Sequence, residues 1–237
     1  MGFECASRTH PGLKRKVNED SILVRTDRGL WAVADGMGGH EAGDVASAKV
    51  VEALALVPPH SAVESFVGDS ISALQTANSE LIRLARTTER PRTIGTTIVG
   101  LVISRETFAC FWAGDSRAYR IRDGEIAQLT RDHSLVQGLV DAGMLDPAEA
   151  EDHPNANVVT RAVGASETLE VDTSTGDAHA GDTFLLASDG LTRVVTDDEI
   201  YSELTSAPIE AAADSLLQTV LSRGAPDNVS LILVRLS

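Results

Sequence analysis

Cysteine is scarce in this sequence, which contains only Cys5 and Cys110 among its 237 residues. Two isolated cysteines provide none of the close spacings from which thiolate zinc sites are built. Each lies in an apolar stretch that is typical of a strand, and the sequence favours two buried, reduced thiols over a disulfide. The sequence therefore offers no cysteine-based metal site and argues against a fold that depends on disulfides.

Long hydrophobic runs are also absent. No stretch approaches the roughly 20 apolar residues needed to span a membrane. The first residues, MGFEC, have neither the basic head nor the apolar core of a signal peptide. We expect a cytoplasmic protein that does not associate with membranes.

Basic residues are few relative to acidic ones. The chain has 20 Lys and Arg against 35 Asp and Glu, a formal net charge of -15. Such a balance argues against nucleic acid as a partner, because phosphate binding requires a basic face. The hydrophobic content of 43% is that of an ordinary globular protein, and no linker or internal repeat interrupts the chain. We predict one domain over residues 1–237 and a monomer.

Secondary-structure patterns come in blocks of strands and blocks of helices. Predicted strands lie at residues 3–8, 21–26, 30–35, 96–103, 108–113, 118–122, 126–130, 169–172, 183–187 and 229–236. Predicted helices lie at residues 41–57, 61–89, 134–142, 197–204 and 209–222. Consecutive hairpins favour antiparallel sheets, so the pattern predicts an α+β fold rather than a doubly wound one. The polar segment 133–157 is predicted to be a flap that leaves the sheet.

The stretch WAVADGMGGH, residues 31–40, combines a buried strand with a glycine-rich turn. The strand ends on Asp35, and the glycines that follow let the backbone turn tightly and approach a bound group. A carboxylate and free peptide carbonyls at such a corner are suitable oxygen ligands for a metal. An ordinary strand–turn–helix with a solvated Asp35 explains these residues equally well.

Acidic residues recur at the ends of predicted strands. The acids in question are Glu19, Asp20, Asp35, Asp115, Asp189 and Asp227. Hard oxygen ligands without cysteine or clustered histidine favour magnesium or manganese over zinc or copper. Two such ions a few ångströms apart lower the pKa of a bridging water and stabilise a phosphoryl group under in-line attack.

Seven short motifs resemble those of the metal-dependent protein phosphatases, the type 2C serine/threonine phosphatases. In chain order they are GLKRKVNED (12–20), DGMGGH (35–40), GTT (95–97), AGDSRAY (113–119), TRDHS (130–134), SDGL (188–191) and DNV (227–229). They follow the family's order and cover nearly the whole chain. The resemblance implies a four-layer α-β-β-α sandwich, in which two antiparallel sheets are flanked by helix pairs and metals lie at the sheet edges.

The resemblance also implies roles for particular residues. Asp35 would bridge two manganese or magnesium ions, the Gly36 carbonyl would ligate one, and Asp189 and Asp227 would hold the other. Asp115 is similar to the residue that, with Asp189, holds a third and weaker ion in bacterial members.

Three residues near the start of the chain complete the implied set. Glu19 and Asp20 would orient metal-bound waters. Arg15 resembles the phosphate-binding arginine, whose planar fork suits two phosphate oxygens. Met37 stands where many eukaryotic members carry a histidine that protonates the leaving group. The general acid is therefore unassigned, and the sequence does not place His40 in or out of the site.

The implied function is a serine/threonine protein phosphatase, in which metal-activated water attacks phosphorus directly. The chain resembles stand-alone bacterial members of the family that reverse the action of Hanks-type kinases. The expected partners are therefore phosphoproteins and a cognate kinase. Residues 30–47 further resemble phosphatases found with type VI secretion clusters. Two alternatives remain: a non-catalytic phosphoprotein-binding relative, and a phosphatase of small phosphomonoesters.

Overall fold

The structure is a computed structural model, and it describes residues 2–38, 42–87 and 93–237. The described strands are β1 (Phe3–His10), β2 (Asp20–Arg25), β3 (Leu30–Met37), β4 (Gly95–Thr96), β5 (Ile98–Ser104), β6 (Thr107–Ala113), β7 (Arg117–Arg122), β8 (Glu125–Gln128), β9 (Asp172–Asp177), β10 (Thr183–Ala187) and β11 (Val229–Leu236). The described helices are α1 (Gly43–Ala55), α2 (Val63–Thr87), α3 (Leu135–Asp141), α4 (Asp189–Thr192), α5 (Asp197–Ser206) and α6 (Ile209–Ser222).

The strands form two antiparallel sheets. Sheet A has the order β1-β11-β10-β7-β8, and sheet B has the order β2-β3-β5-β6-β9 with β4 paired to β3. Hairpins join β2 to β3, β5 to β6 and β7 to β8, as the short turns in the sequence require. The chain termini meet in sheet A, where β1 pairs with β11 over its whole length.

Three apolar cores hold four layers together. The inner faces of the sheets pack on each other through large buried side chains such as Trp31, Phe108 and Phe184. The outer face of sheet B packs on α1 and α2, and the outer face of sheet A packs on α4, α5 and α6. The predicted α-β-β-α sandwich is confirmed.

Local sequence explains where several helices begin. Thr196 and Glu199 form a reciprocal capping box at the start of α5. The Ser134 side chain accepts a hydrogen bond from the Gln137 amide and caps α3. The predicted helix 209–222 and strands 183–187 and 229–236 agree with the structure to the residue.

Two elements between the flap and α5 were misplaced or missed by the sequence analysis. The strand predicted at 169–172 is instead β9, at Asp172–Asp177, and Leu169 packs into the core between sheet B and its helices. The segment DTSTGD has no apolar alternation because neither face of β9, an edge strand paired with β6, is buried. Helix α4 was not predicted, since four residues are too few to show helical periodicity.

Other expectations are met in part. Cys5 and Cys110 are both free thiols, but only Cys110 is buried, while Cys5 is partly exposed. Within the described chain, no helix has the length and apolar character to cross a bilayer. The predicted starting residue of the first long helix, Glu41, and the final residue of the second, Glu89, lie outside the described residues, as does His40.

The packing between the sheets yields a stability prediction. Phe184 is 1% exposed and meets Phe108 edge-on, with ring centroids 5.0 Å apart. Phe184→Ala will lower the free energy of unfolding by about 3–5 kcal/mol, because the sheets cannot close fully around the cavity. Urea denaturation measures the loss. Leu56→Ala is the control, since Leu56 is 82% exposed, and a change of similar size there would contradict the explanation.

Candidate metal centre

Strand pairing in sheet B places two acids side by side. Asp20 begins β2 and is the cross-strand partner of Asp35 near the end of β3. Directly opposed residues in an antiparallel pair share one face of the sheet, with Cβ atoms about 4.5–5.5 Å apart. Like charges at such a position are destabilising, so this pairing requires a compensating partner.

Beyond Asp35 the backbone turns tightly at Gly36. The Gly36 amide donates to the Glu19 carbonyl at 3.1 Å, and the Thr97 amide donates to the Asp35 carbonyl at 2.8 Å. A Cβ added to Gly36 would overlap the backbone of Gly43 at the start of α1. Only glycine therefore fits at this position. The Glu19 carboxylate lies at the same turn, where its Oε1 accepts a hydrogen bond from the Gly43 amide at 3.2 Å.

The segment that follows β10 of sheet A contributes Asp189, the first residue of α4. Ser188, just before it, is fully buried and links the two sheets: its hydroxyl donates to Asp20 Oδ2 at 2.9 Å and accepts from the Ser230 amide at 2.9 Å. Gly190 then lies so close to the Asn228 carbonyl that a Cβ there would collide with it. The close approach brings the first turn of α4 against the segment that carries Asp227.

Asn228 connects that segment to the N-terminal loop. Its Oδ1 accepts from the Glu19 amide at 2.8 Å, and its Nδ2 donates to the carbonyls of Pro11 and Val17 at 3.0 and 2.9 Å. A buried amide that satisfies three backbone groups fixes their relative positions. Asp227 is thereby held beside the residues that flank Arg15.

All but one of the predicted site residues line one cleft of about 350 Å³. Its lining comprises Arg15, Glu19, Asp35, Gly36, Met37, Gly38, Thr97, Asp115, Asn157, Val159, Asp189, Asp227 and Asn228. Asp20 is not among them; it is 7% exposed and lies beneath the cleft, hydrogen-bonded to Ser188. The structure thus brings together acids that are more than 200 positions apart in the chain.

Two arginines pair with these acids. Arg15 Nη2 lies 2.7 Å from Asp227 Oδ2 at the rim, and this ion pair raises the pKa of Arg15. Arg193 Nε lies 2.8 Å from Asp189 Oδ2, and its Nη2 lies 3.2 Å from Asp115 Oδ2. Arg15 was predicted, whereas Arg193 was not.

Burial and crowding raise the pKa values of the carboxylates. Burial, followed by the charges of neighbouring acids including Asp20, raises the pKa of Asp35 well above its usual range. Burial likewise raises the pKa of Asp20 to about 6 and of Asp115 to about 7, and Asp189 contributes to both shifts. Burial also raises the pKa of Asp189. Without added cations, the centre resists full ionisation.

The donor set fits hard divalent ions. The Asp20 Oδ1 atom is buried and has no hydrogen-bond partner, and the surrounding oxygens belong to carboxylates and peptide groups. Among residues 2–38, 42–87 and 93–237, no three Asp, Glu, His or Cys side chains already form a ligand group. Arg15 and Arg193 instead hold Asp227 and Asp189, so enclosing an ion requires these side chains to rearrange.

His133 has a structural role. Its Nδ1 accepts from the Gly114 amide at 3.1 Å, and its ring stacks on Trp112 with centroids 6.1 Å apart. Gly114 precedes Asp115, so His133 supports the turn that presents this acid.

Sequence reasoning missed Arg193, which pairs with two acids of the cleft, and Asn157, which lines it. The spacing of Arg193, four residues after Asp189, was the available signal, since i,i+4 pairs meet on a helix. Asn157 had none, because its position depends on how the flap returns to the sheet.

Comparison with known proteins gives consistent results. The profile of the family described as protein phosphatase 2C matches residues 13–230. The chain is 36% identical over 227 residues to the serine/threonine protein phosphatase PstP of Mycobacterium tuberculosis, covering 96% of this chain and 44% of that protein. The chain therefore spans less than half the length of that relative.

Two solved structures are similar over almost the whole chain. One is PppA, described as a key regulatory component of the type VI secretion system in Pseudomonas aeruginosa, with a TM-score of 0.90, 40% identity and coverage of 100% of this chain and 99% of that one. The other is the catalytic domain of PstP in complex with two manganese ions, with a TM-score of 0.88, 34% identity and coverage of 98% and 97%.

The raised pKa values predict how the metal-free protein responds to pH. Asp20 and Asp115 have pKa values of about 6 and about 7 in the folded state, against an ordinary value of 3.8. Between the ordinary pKa and the folded-state pKa, the folded state therefore binds more protons than the unfolded state. The contribution of both acids to stability is consequently lost as the pH rises through about 6–7. Thermal unfolding in a chelator measures the effect, and Mn²⁺ will restore the loss.

Burial lowers the pKa of His133 below 6.5. This shift makes stability rise with pH, opposite to the effect of the two acids, so the test compares variants. Asp20→Asn and Asp115→Asn will each flatten the fall in melting temperature between about pH 5 and pH 8 relative to wild type. Asp141→Asn, in an exposed ion pair with Arg131, serves as the control. Equal slopes in all four proteins would contradict the assignment.

Proposed function

The chain belongs to the protein phosphatase 2C family, and from that membership we propose that residues 1–237 act as one catalytic domain that hydrolyses phosphoserine and phosphothreonine in proteins. The observation that carries this proposal is the convergence of Asp35, Asp189 and Asp227 from two sheets on one cleft beside Arg15. A phosphate-binding cation and a set of hard oxygen ligands are what metal-assisted phosphoryl transfer needs.

Two manganese or magnesium ions are the proposed cofactors. Asp35 and the Gly36 carbonyl from sheet B, with Asp189 and Asp227 from sheet A, would hold them between the sheet edges. When bound, such ions act as Lewis acids that generate a nucleophile from water and offset charge on phosphoryl oxygens. The complex of the PstP catalytic domain with two manganese ions supports this assignment.

Arg15 is the proposed phosphate-binding residue. Its side chain is 53% exposed at the cleft rim and pairs with Asp227. A guanidinium on a flexible, exposed stem can exchange that carboxylate for two phosphate oxygens in a bidentate contact. Glu19 and Asp20 would support the centre from beside and beneath it, through their contacts to Gly43 and Ser188.

Met37 lines the cleft but is not a proton donor, because a thioether carries no exchangeable proton. The proposal therefore assigns no general acid among the described residues.

The proposed partners are phosphorylated proteins and a serine/threonine kinase whose action the enzyme reverses, in the cytoplasm and as a monomer. The similarity to PstP supports protein substrates, and the similarity to PppA supports a role in regulating type VI secretion. An acidic chain of net charge -15 supports the absence of nucleic acid among the partners.

Asp35→Ala separates this function from its two alternatives. We expect manganese-dependent release of phosphate from phosphothreonine peptides to fall at least about 10³-fold, since loss of a bridging ligand removes several kcal/mol of transition-state stabilisation. Wild type turning over small phosphoesters but not peptides would identify a small-molecule phosphatase. Peptide binding without turnover of either substrate would identify a binding protein. Asp141→Ala, which removes an acid that pairs with Arg131 and does not line the cleft, is the matched control.

A third, weaker ion is proposed at Asp115 and Asp189. Asp115→Ala will lower turnover about 10-fold or more at saturating Mn²⁺ while leaving two ions bound, because the acid lies at the edge of the two-ion core. Steady-state kinetics and metal analysis of the same preparation measure both quantities. Turnover close to wild type would contradict a role for Asp115.

A further inference from the structure

Arg193 lies between the two acids proposed to hold the third ion. It follows the last residue of α4, one helical turn beyond Asp189, whose Oδ2 lies 2.8 Å from its Nε. Its Nη2 lies 3.2 Å from Oδ2 of Asp115, an acid that is only 5% exposed. One guanidinium thus joins two carboxylates from different parts of the chain, one in the turn between β6 and β7 and one at the start of α4.

The same guanidinium also contacts the end of the flap. Its Nη2 donates to the Ala156 carbonyl at 2.9 Å, and its Nη1 donates to Oδ1 of Asn157. Ala156 is itself buried, and its amide bonds back to the His153 carbonyl at 2.9 Å. Arg193 therefore connects the acids of the metal centre to the end of the flap.

A guanidinium and a divalent ion compete for these carboxylates, because the two cations repel each other at short distance and Arg193 holds Oδ2 of both acids in a geometry set by its own fork. Arginine stays charged throughout the working pH range, and its fork matches carboxylate geometry. Because Arg193 is part of the chain, its effective concentration at Asp115 and Asp189 is high, and it loses no translational freedom on binding. A free ion competes from solution and must displace it.

We propose that Arg193 is an intramolecular cation that competes with the third divalent ion for Asp115 and Asp189, an inference that rests on the proposed function. When the ion displaces Arg193, the flap loosens. The third ion is weak because it must first break the contacts of Arg193. Occupation of the third site then changes how readily the flap opens over the cleft.

The first test counts bound manganese. Metal-free wild type, Arg193→Ala and Arg193→Gln are each titrated with Mn²⁺. Electron paramagnetic resonance measures the concentration of free Mn²⁺ at each step. We expect two ions of higher affinity in each protein and a third that binds at least about tenfold more tightly in both variants, equivalent to about 1.4 kcal/mol. Arg223→Ala is the matched control, since Arg223 pairs with Glu199 outside the cleft.

The second test follows the flap. In hydrogen exchange, the amides of Ala156 and Val158 report opening, because both are hydrogen-bonded within the flap. Filling the third site with Mn²⁺ will speed their exchange in wild type, whereas in Arg193→Ala exchange will be fast with or without the ion. Asn157→Ala will also speed exchange but will leave the affinity of the third ion within about twofold of wild type, since it removes no charge.

The outcomes separate this inference from the function on which it rests. A third ion of equal affinity in wild type, Arg193→Ala and Arg193→Gln overturns the competition, even when all three are active phosphatases. Unchanged exchange on adding Mn²⁺ to wild type overturns the link to the flap. Failure of every protein to bind two ions overturns the metal centre itself. Circular dichroism confirms folding, and Arg193→Gln preserves side-chain size if the alanine variant is unstable.

Discussion

Repulsion among buried carboxylates is the constraint on which the rest of this structure depends. The pairing of β2 with β3 places Asp20 directly opposite Asp35, and the segment that follows β10 of the other sheet adds Asp189. Separately, each acid could avoid burial by pointing to solvent. Together they are tolerated only because the surrounding backbone is tightly held. The raised pKa of Asp35 shows that burial and the repulsion from neighbouring acids are not fully compensated.

Neutral polar residues provide that rigid support. Ser188 bonds to Asp20 across the two sheets, and Asn228 ties the loop before β2 to the start of β11. Gly36 and Gly190 permit backbone approaches that any side chain would block. Because none of these residues is charged, they position the acids without neutralising them, and the centre keeps its capacity to bind cations.

Arginines supply the charge compensation that the scaffold does not. Arg15 at the rim and Arg193 under the flap each hold an acid that the proposed ions would use. Under the proposed function, replacement of guanidinium by metal, and of carboxylate by phosphate, would connect metal loading, substrate binding and flap position through the same few oxygens.

The sequence by itself determined the α+β class, most strand and helix bounds, and the acids and Arg15 of the candidate site, because periodicity and short motifs are local signals. The polar edge strand β9 was misplaced by sequence, since a strand with neither face buried needs no apolar alternation. Only the tertiary structure decided that Arg193 joins Asp115 to Asp189 and the flap. Contacts between residues as much as 78 positions apart depend on how sheets and loops pack, which no local pattern encodes.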